Sequence, residues 1–269
     1  MRVIHAGGPA RSALLLLAAL TACAAPDLAR AQVIVGGSPV APTSWAEATV
    51  AGTYLRAEGI SGATSSLGLR GAWAPMPLLE IGASLGLAGT WLRADYATRG
   101  VNRVGLAPIG AWLGLGARLG GISAAARMMA EVAPRALGAD GIDSGGSLVA
   151  AGARIDNGFV LPWAQIRLAA SLGMIAGDSD AGSIAAMLLG EILVGDYRSR
   201  VRPFARFAVR FATDMPTSGE LGLGLVIRVV PHWLLRTAVT ASDRTDPSAE
   251  RVRGELALVW VPPQHSSGW

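Results

Sequence analysis

Ten arginines (Arg70, Arg118, Arg127, Arg154, Arg167, Arg206, Arg210, Arg228, Arg236 and Arg253) share one property with Glu80, Glu131, Glu191, Glu220 and Glu255. Each falls on one parity of a segment whose other parity is apolar. Guanidinium groups collected on one face can attract anions, whereas carboxylates in the same row can pair with them and fill the space instead. Motifs for sharper chemistry lack their context. Gly82-Ala83-Ser84-Leu85-Gly86 matches G-x-S-x-G, a hydrolase signature that needs a strand-to-helix corner and a nearby histidine. Ser84 instead sits mid-strand, and His5, His232 and His265 fall in the N-terminal segment, a turn and the tail. The chain is therefore not expected to be an enzyme, and a lipid-acting barrel enzyme is the least favoured reading. Asp178-Ser179-Asp180-Ala181-Gly182 resembles the start of a calcium loop without its remaining ligands and reads as a solvated loop. The spacing Gly82-x-x-x-Gly86, repeated at Gly110 and Gly114, lines small residues along one strand face. No cofactor or metal is expected.

Composition narrows what could position such residues. The 269 residues are 51% hydrophobic and only 16% charged, against ~25% charged for a soluble domain. A helical membrane protein would need runs of ~20 apolar residues, and beyond the N-terminus the interspersed Arg and Glu leave none. All 23 basic residues are Arg, dispersed and without an aromatic-rich patch, so no nucleic-acid partner is expected.

Alternation is what remains, and it is clearest in Leu79 to Leu92. Leu79, Ile81, Ala83, Leu85, Leu87, Gly89 and Trp91 take one parity; Glu80, Gly82, Ser84, Gly86, Ala88, Thr90 and Leu92 take the other. In a strand these are opposite faces, and the length is near the ~9–11 residues a tilted strand needs to cross a bilayer. An apolar outside with a polar inside is the pattern of a transmembrane β-barrel. Further strands are expected at about 45–55, 65–74, 106–119, 122–132, 147–155, 163–174, 184–194, 202–212, 220–230, 233–241 and 251–261. The fold class is thus all-β, a transmembrane antiparallel up-and-down barrel of about twelve strands, with ten to fourteen left open by Pro108 and the small side chains of the sixth strand.

Turns at Ala74-Pro75-Met76-Pro77, Gly120-Gly121, Asp156-Asn157-Gly158 and Pro231-His232 alternate with longer connections at 93–104, 134–146, 177–182 and 242–250. Short periplasmic turns and longer outer loops put both barrel termini in the periplasm, with 195–201 as a long exception. Aromatic residues gather at strand ends, as interfacial girdles do: Trp45, Trp73, Trp163, Trp233 and Trp260 at one end, Tyr54, Trp91 and Phe211 at the other. Trp112 and the inward parity of Trp163 do not fit this pattern.

Residues 1–31 read as a secretory signal, with Arg2 and Arg11 before the apolar Ala13 to Leu20 and an Ala29-Arg30-Ala31 cleavage site. Leu20-Thr21-Ala22-Cys23 resembles a lipobox, so lipidation at Cys23 competes with cleavage after Ala31. Residues 32–44 form a periplasmic lead-in, 45–261 the barrel, and 262–269 a C-terminal tail. The last strand, RVRGELALVWV, resembles the C-terminal insertion strand of bacterial outer-membrane β-barrel proteins, although the tail continues beyond it. That resemblance is architectural. It implies an outer-membrane location with lipid around the wall, while the excess of inward arginines is what would favour small anionic solutes as partners. The expected role is a narrow, Arg-lined passive pore or transport component; a plugged, non-conducting structural or surface-interaction barrel is the alternative. A wide polar lumen would favour the first, and a lumen crossed by Arg–Glu pairs the second.

Overall fold

The computed structural model describes residues 34–35, 38–57, 60–94, 101–133, 137–138, 148–176, 182–196, 199–213, 215–245 and 248–261. The expected signal segment with Cys23, the Asp178 loop and the tail with His265 lie outside the described residues. Twelve strands form the wall. They are β1 (Trp45–Ala57), β2 (Ile60–Met76), β3 (Leu79–Ala94), β4 in two pieces (Val101–Leu106 and Ile109–Leu119), β5 (Ile122–Ala133), β6 (Leu148–Val160), β7 (Ala164–Ala176), β8 (Ser183–Val194), β9 (Val201–Ala212), β10 (Met215–Val230), β11 (Trp233–Thr245) and β12 (Ser248–Trp260). Each pairs antiparallel with its chain neighbours, and β12 returns to β1 through Trp260 opposite Ala46. The result is a closed, up-and-down, twelve-stranded β-barrel with no free edge.

Closure follows from the period-2 pattern. Outward positions such as Val50, Leu67, Leu85, Leu87, Leu113, Leu172, Leu188, Leu223 and Leu256 are exposed apolar side chains, as a lipid-facing wall requires. Two breaks are prolines. Pro108 has no N–H, so β4 is interrupted at Ala107-Pro108, and the Ala107 amide donates instead to the Gly86 carbonyl at 2.9 Å. Pro75 coincides with a shift in the β2–β3 register between Trp73 and Met76, so the tight turn is Pro77-Leu78 and not the whole of Ala74 to Pro77.

Several expected boundaries move. Asp156-Asn157-Gly158 is not a hairpin: it continues β6, with Asp156 opposite Ala125 and Ala169, and the chain turns at Leu161 to Trp163. The Asp156 side chain is needed inside the barrel, and tertiary pairing overrides a local turn preference. The expected 242–250 loop is mostly strand, since β11 and β12 stay paired to Thr245 opposite Ser248. Likewise β2 begins at Ile60 and β10 at Met215. Backbone ladders continue past the apolar belt because their hydrogen bonds do not depend on side-chain polarity. Within 134–146, Leu137–Gly138 pairs with Arg103 and Val104. Ile34–Val35 and Ser38–Pro39 form a small antiparallel pair before the barrel. The end with the Pro77-Leu78, Gly120-Gly121 and Pro231-His232 turns, and with both ends of the barrel chain, is called the turn end below; the other is the loop end.

Gly82 shows how tightly the wall fits what lies inside it. It faces the lumen opposite Trp112, and a Cβ built on it would stand 2.0 Å from the indole ring. Gly52 faces outward, and its Cβ would meet nothing within 4 Å. Gly82→Val is expected to cost ~1–3 kcal/mol through overpacking, whereas Gly52→Ala should change stability by less than ~0.5 kcal/mol. Urea unfolding of the refolded barrel measures both, and equal effects would contradict the seating of Trp112.

Candidate functional site

The lumen divides into an apolar floor at the turn end and a charged chamber above it. The floor is made by inward side chains from most of the circumference: Trp45 of β1, Ala72 of β2, Val160 of β6, Leu193 of β8, Phe204 of β9, Val226 of β10, Leu234 and Ala238 of β11, and Val259 of β12, with Val261 just beyond it. Packed with them is Val40, which belongs not to the wall but to the segment before β1. Val40 and Leu193 are both 0% exposed, and Pro39 is also fully buried. Burying one such aliphatic side chain contributes ~1.5–3 kcal/mol, so the floor is an ordinary hydrophobic core placed across the lumen.

Trp45 corrects the girdle expectation. It shares its parity with Glu47 and therefore faces inward, where it is 4% exposed and stacked on Trp112 with ring centroids 6.1 Å apart. Arg70 lies over it, Cζ 5.5 Å from the ring centroid, a cation–π contact. Trp112 is inward for a matching reason: its Nε1–H donates to Glu80 at 3.0 Å. The other aromatic positions lie where the girdle needs them. Trp73, Trp163 and Trp233 are exposed at the turn end with Trp260 half-buried beside Trp233, and Tyr54, Trp91 and Phe211 are exposed toward the loop end.

Above the floor, charged side chains meet in three groups. In the first, Arg127 donates through Nε to Glu80 at 2.5 Å and through Nη1 to Asp156 at 2.7 Å. Its Nη2 donates to the backbone carbonyls of Pro39 and Val40, each at 3.1 Å. Asp156 also accepts from Arg154 at 2.9 Å and from Arg167 at 2.8 Å, and Arg167 approaches Glu191 at 3.6 Å. In the second, Arg70 makes a two-pronged contact with Glu47 at 2.9 and 3.0 Å. Thr49 donates to the same carboxylate, Arg236 bridges Glu47 and Glu255, and Arg253 reaches Glu255 at 3.1 Å. In the third, Glu220 takes Arg206 on one oxygen and Arg210, at 2.8 Å, on the other. Asp156, Glu47, Glu255 and Glu220 thus each serve at least two guanidinium groups.

Of the residues expected to face a passage, Arg70, Glu80, Arg127, Arg154, Arg167, Glu191, Arg206, Arg210, Glu220, Arg236, Arg253 and Glu255 join these groups. Arg118 and Arg228 sit nearer the turn end, beside the Gly120-Gly121 and Pro231-His232 turns, and Glu131 is exposed toward the loop end. Ser84 faces the lumen opposite Arg70 and Gly110 in mid-strand, while His232 lies in a turn at the turn end. Glu47, Thr49, Asp156 and the Pro39-Val40 segment were not singled out from sequence. Glu47 and Asp156 carry a usable signal, since each shares its parity with inward neighbours, Thr49 and Arg154. Pro39-Val40 carries none.

The chamber itself is a cavity of about 410 Å3, lined by members of all three charged groups and by Thr49, Ser66, Ser84, Gly68 and Gly86. A smaller space of about 250 Å3, bounded by Trp45, Trp112 and Arg127, shares Arg70, Ser84, Arg154 and Arg167 with it. Toward the loop end the inward residues Thr53, Thr64 and Ser66 become half-exposed.

No family model and no curated protein sequence matches the chain. Solved structures match its fold. The COG4313 outer membrane channel from Pseudomonas putida F1 aligns with a TM-score of 0.59 and 12% identity, over 82% of this chain and 96% of that one. The translocator domain of autotransporter NalP from Neisseria meningitidis aligns at 0.53 and 11%, over 93% and 97%, and the β domain of the Bordetella autotransporter BrkA at 0.51 and 15%, over 81% and 98%. The chain has the fold of the bacterial outer-membrane β-barrels, with no specific family indicated.

Removing a shared carboxylate leaves several buried guanidinium groups without their partner. Asp156→Asn is expected to destabilise the barrel by ~3–5 kcal/mol, read as a lowered urea midpoint. A loss below ~1 kcal/mol would mean that Asp156 is not the hub of its group.

Proposed function

We propose that the chain is an integral outer-membrane barrel whose passage is shut at its periplasmic, turn end, so that it presents a blind, arginine-rich chamber to the loop side. Of the two roles expected from sequence, this is closer to the plugged barrel than to the open pore. One observation carries it: Val40, fully buried, packs into an apolar cluster contributed by β1, β2, β6, β8, β9, β10, β11 and β12. A hydrated ion passing among these apolar side chains would be stripped of water there, beside the buried Ser123, Gln165 and Arg202 at the same end of the barrel. The crossed Arg–carboxylate groups support the same reading, since they occupy part of the lumen above the floor. The periplasmic assignment of the turn end rests on the short connections there.

A second reading has its own support. The plug is a separate segment, held by apolar contacts and by two hydrogen bonds from Arg127, and is not part of the wall. Withdrawal of that segment would remove Val40 from the apolar layer beneath the Arg-lined chamber, making the barrel a gated passage. The likeness to the Pseudomonas putida channel is compatible with either role, because it is a likeness of fold.

Planar-bilayer recording of the refolded protein separates the possibilities. The wild type is expected to show no steady conductance, and Val40→Asp, which places a charge in the apolar layer, is expected to produce one. Slower migration on heating in gel electrophoresis checks that both are folded. Stable anion-preferring current through the wild type, reduced by the double variant Arg206→Glu, Arg210→Glu, would overturn the closed reading in favour of an open pore.

A further inference from the structure

We propose that the chamber is a binding site for a small, soluble, polyvalent oxyanion, of the size and charge of a tricarboxylate or a phosphate ester. This deepens the reading above and rests on it, since a closed floor makes the chamber a cup that holds a solute. The first argument is charge. Seven arginines line the cavity against four glutamates, and the pairing pattern shows where the surplus lies. Glu220 is already engaged by Arg206 and Glu255 by Arg236, yet each also carries a second guanidinium, Arg210 and Arg253. Those second side chains are 46% and 45% exposed, whereas Arg206 and Arg236 are largely buried. They therefore present N–H donors to the cavity after the internal pairing is complete. A guanidinium offers five donors in a planar fork that suits carboxylate and phosphate oxygens.

The second argument is the shape and polarity of the remaining wall. Beside the arginines stand the hydroxyls of Ser66 and Ser84 with two glycines, Gly68 and Gly86. Hydroxyls can donate to an anion without adding charge, and Gly68 leaves room, since a Cβ there would meet nothing within 4 Å. The volume of about 410 Å3 falls within the ~300–1,000 Å3 of ordinary small-ligand sites. Charges enclosed by low-dielectric walls also concentrate the field, which draws in ions of the opposite sign. Lipid headgroups are excluded as the source of the anion, because the wall is a closed ladder of strands. The ligand must enter as a solute from the loop end.

Calorimetric titration of citrate into the refolded chain in a neutral maltoside detergent tests this. Citrate is expected to bind one to one, acetate at least tenfold more weakly, and glycerol not at all, with the citrate affinity falling as sodium chloride rises. The double variant Arg210→Gln, Arg253→Gln leaves Arg206–Glu220 and Arg236–Glu255 intact and should bind citrate at least tenfold more weakly. Should the double variant lose its heat-dependent gel shift, each single variant makes the same comparison, with an expected loss of about threefold. Absence of citrate binding by the folded wild type overturns the proposal, as does unchanged affinity in the folded variants. Binding is read without a bilayer, so a floor that conducts and a chamber that fails to hold citrate are separate results.

Discussion

The guanidinium of Arg127 stands at the point where wall, floor and chamber meet. It is almost fully buried, so every donor it carries must find an acceptor inside the protein. Glu80 and Asp156, from two strands of the wall, take two of them, and the carbonyls of Pro39 and Val40 take another pair. The charge thus satisfies itself only if β3, β5 and β6 are in register and the segment before β1 is drawn inside. Shift any strand by one residue and Glu80, Arg127 or Asp156 would point into lipid, because alternate residues face opposite sides. One polar centre therefore ties barrel register to plug position.

Around that centre the lumen holds two environments that ordinarily exclude each other. The floor resembles the interior of a soluble protein, with Leu193, Phe204, Val226, Val259 and Val40 in contact. The chamber is crowded with charge, and its carboxylates are outnumbered. The apolar layer gives the N-terminal segment a place to dock, and the arginines give the opposite side a reason to stay wet. Because the outer face of the wall is already apolar, the interior is free to combine both. Small residues make the fit possible: Gly82 lets the Trp112 ring cross above it, and Gly114 sits against the Glu80 side chain.

Sharing of carboxylates sets the character of the chamber. A single Arg–Glu pair in low dielectric can be self-contained, whereas two or three guanidinium groups on one carboxylate leave positive charge over. Asp156 with Arg127, Arg154 and Arg167 is the extreme case and lies deep, partly relieved by Glu80 and Glu191. Glu220 and Glu255 lie nearer the open space, where the extra arginines reach water. Depth thus separates arginines that hold the structure from arginines that face whatever enters.

Much of the wall was legible from sequence, because a strand announces its two faces locally. Apolar residues at every second position located the strands, put Arg70, Arg127, Arg154, Arg167, Arg206, Arg210, Arg236 and Arg253 inside, and led to a count of about twelve. Local signals failed where a residue served a distant partner. Asp156-Asn157-Gly158 has the composition of a turn, yet Asp156 is held in a strand by arginines on β5, β6 and β7. Trp45 looked like a girdle residue at a strand end, yet it follows the parity of Glu47 and stacks on Trp112 across the lumen. Val40, in a Gly- and Pro-containing lead-in, had no periodicity to mark it. Sequence alone determined which side of the wall most strand residues face, since away from register shifts such as those at Pro75 and Val229 that depends only on the alternation of the backbone. Tertiary structure alone decided what fills the barrel, since which inward side chains meet depends on closure, register and a segment threaded in from outside the sheet.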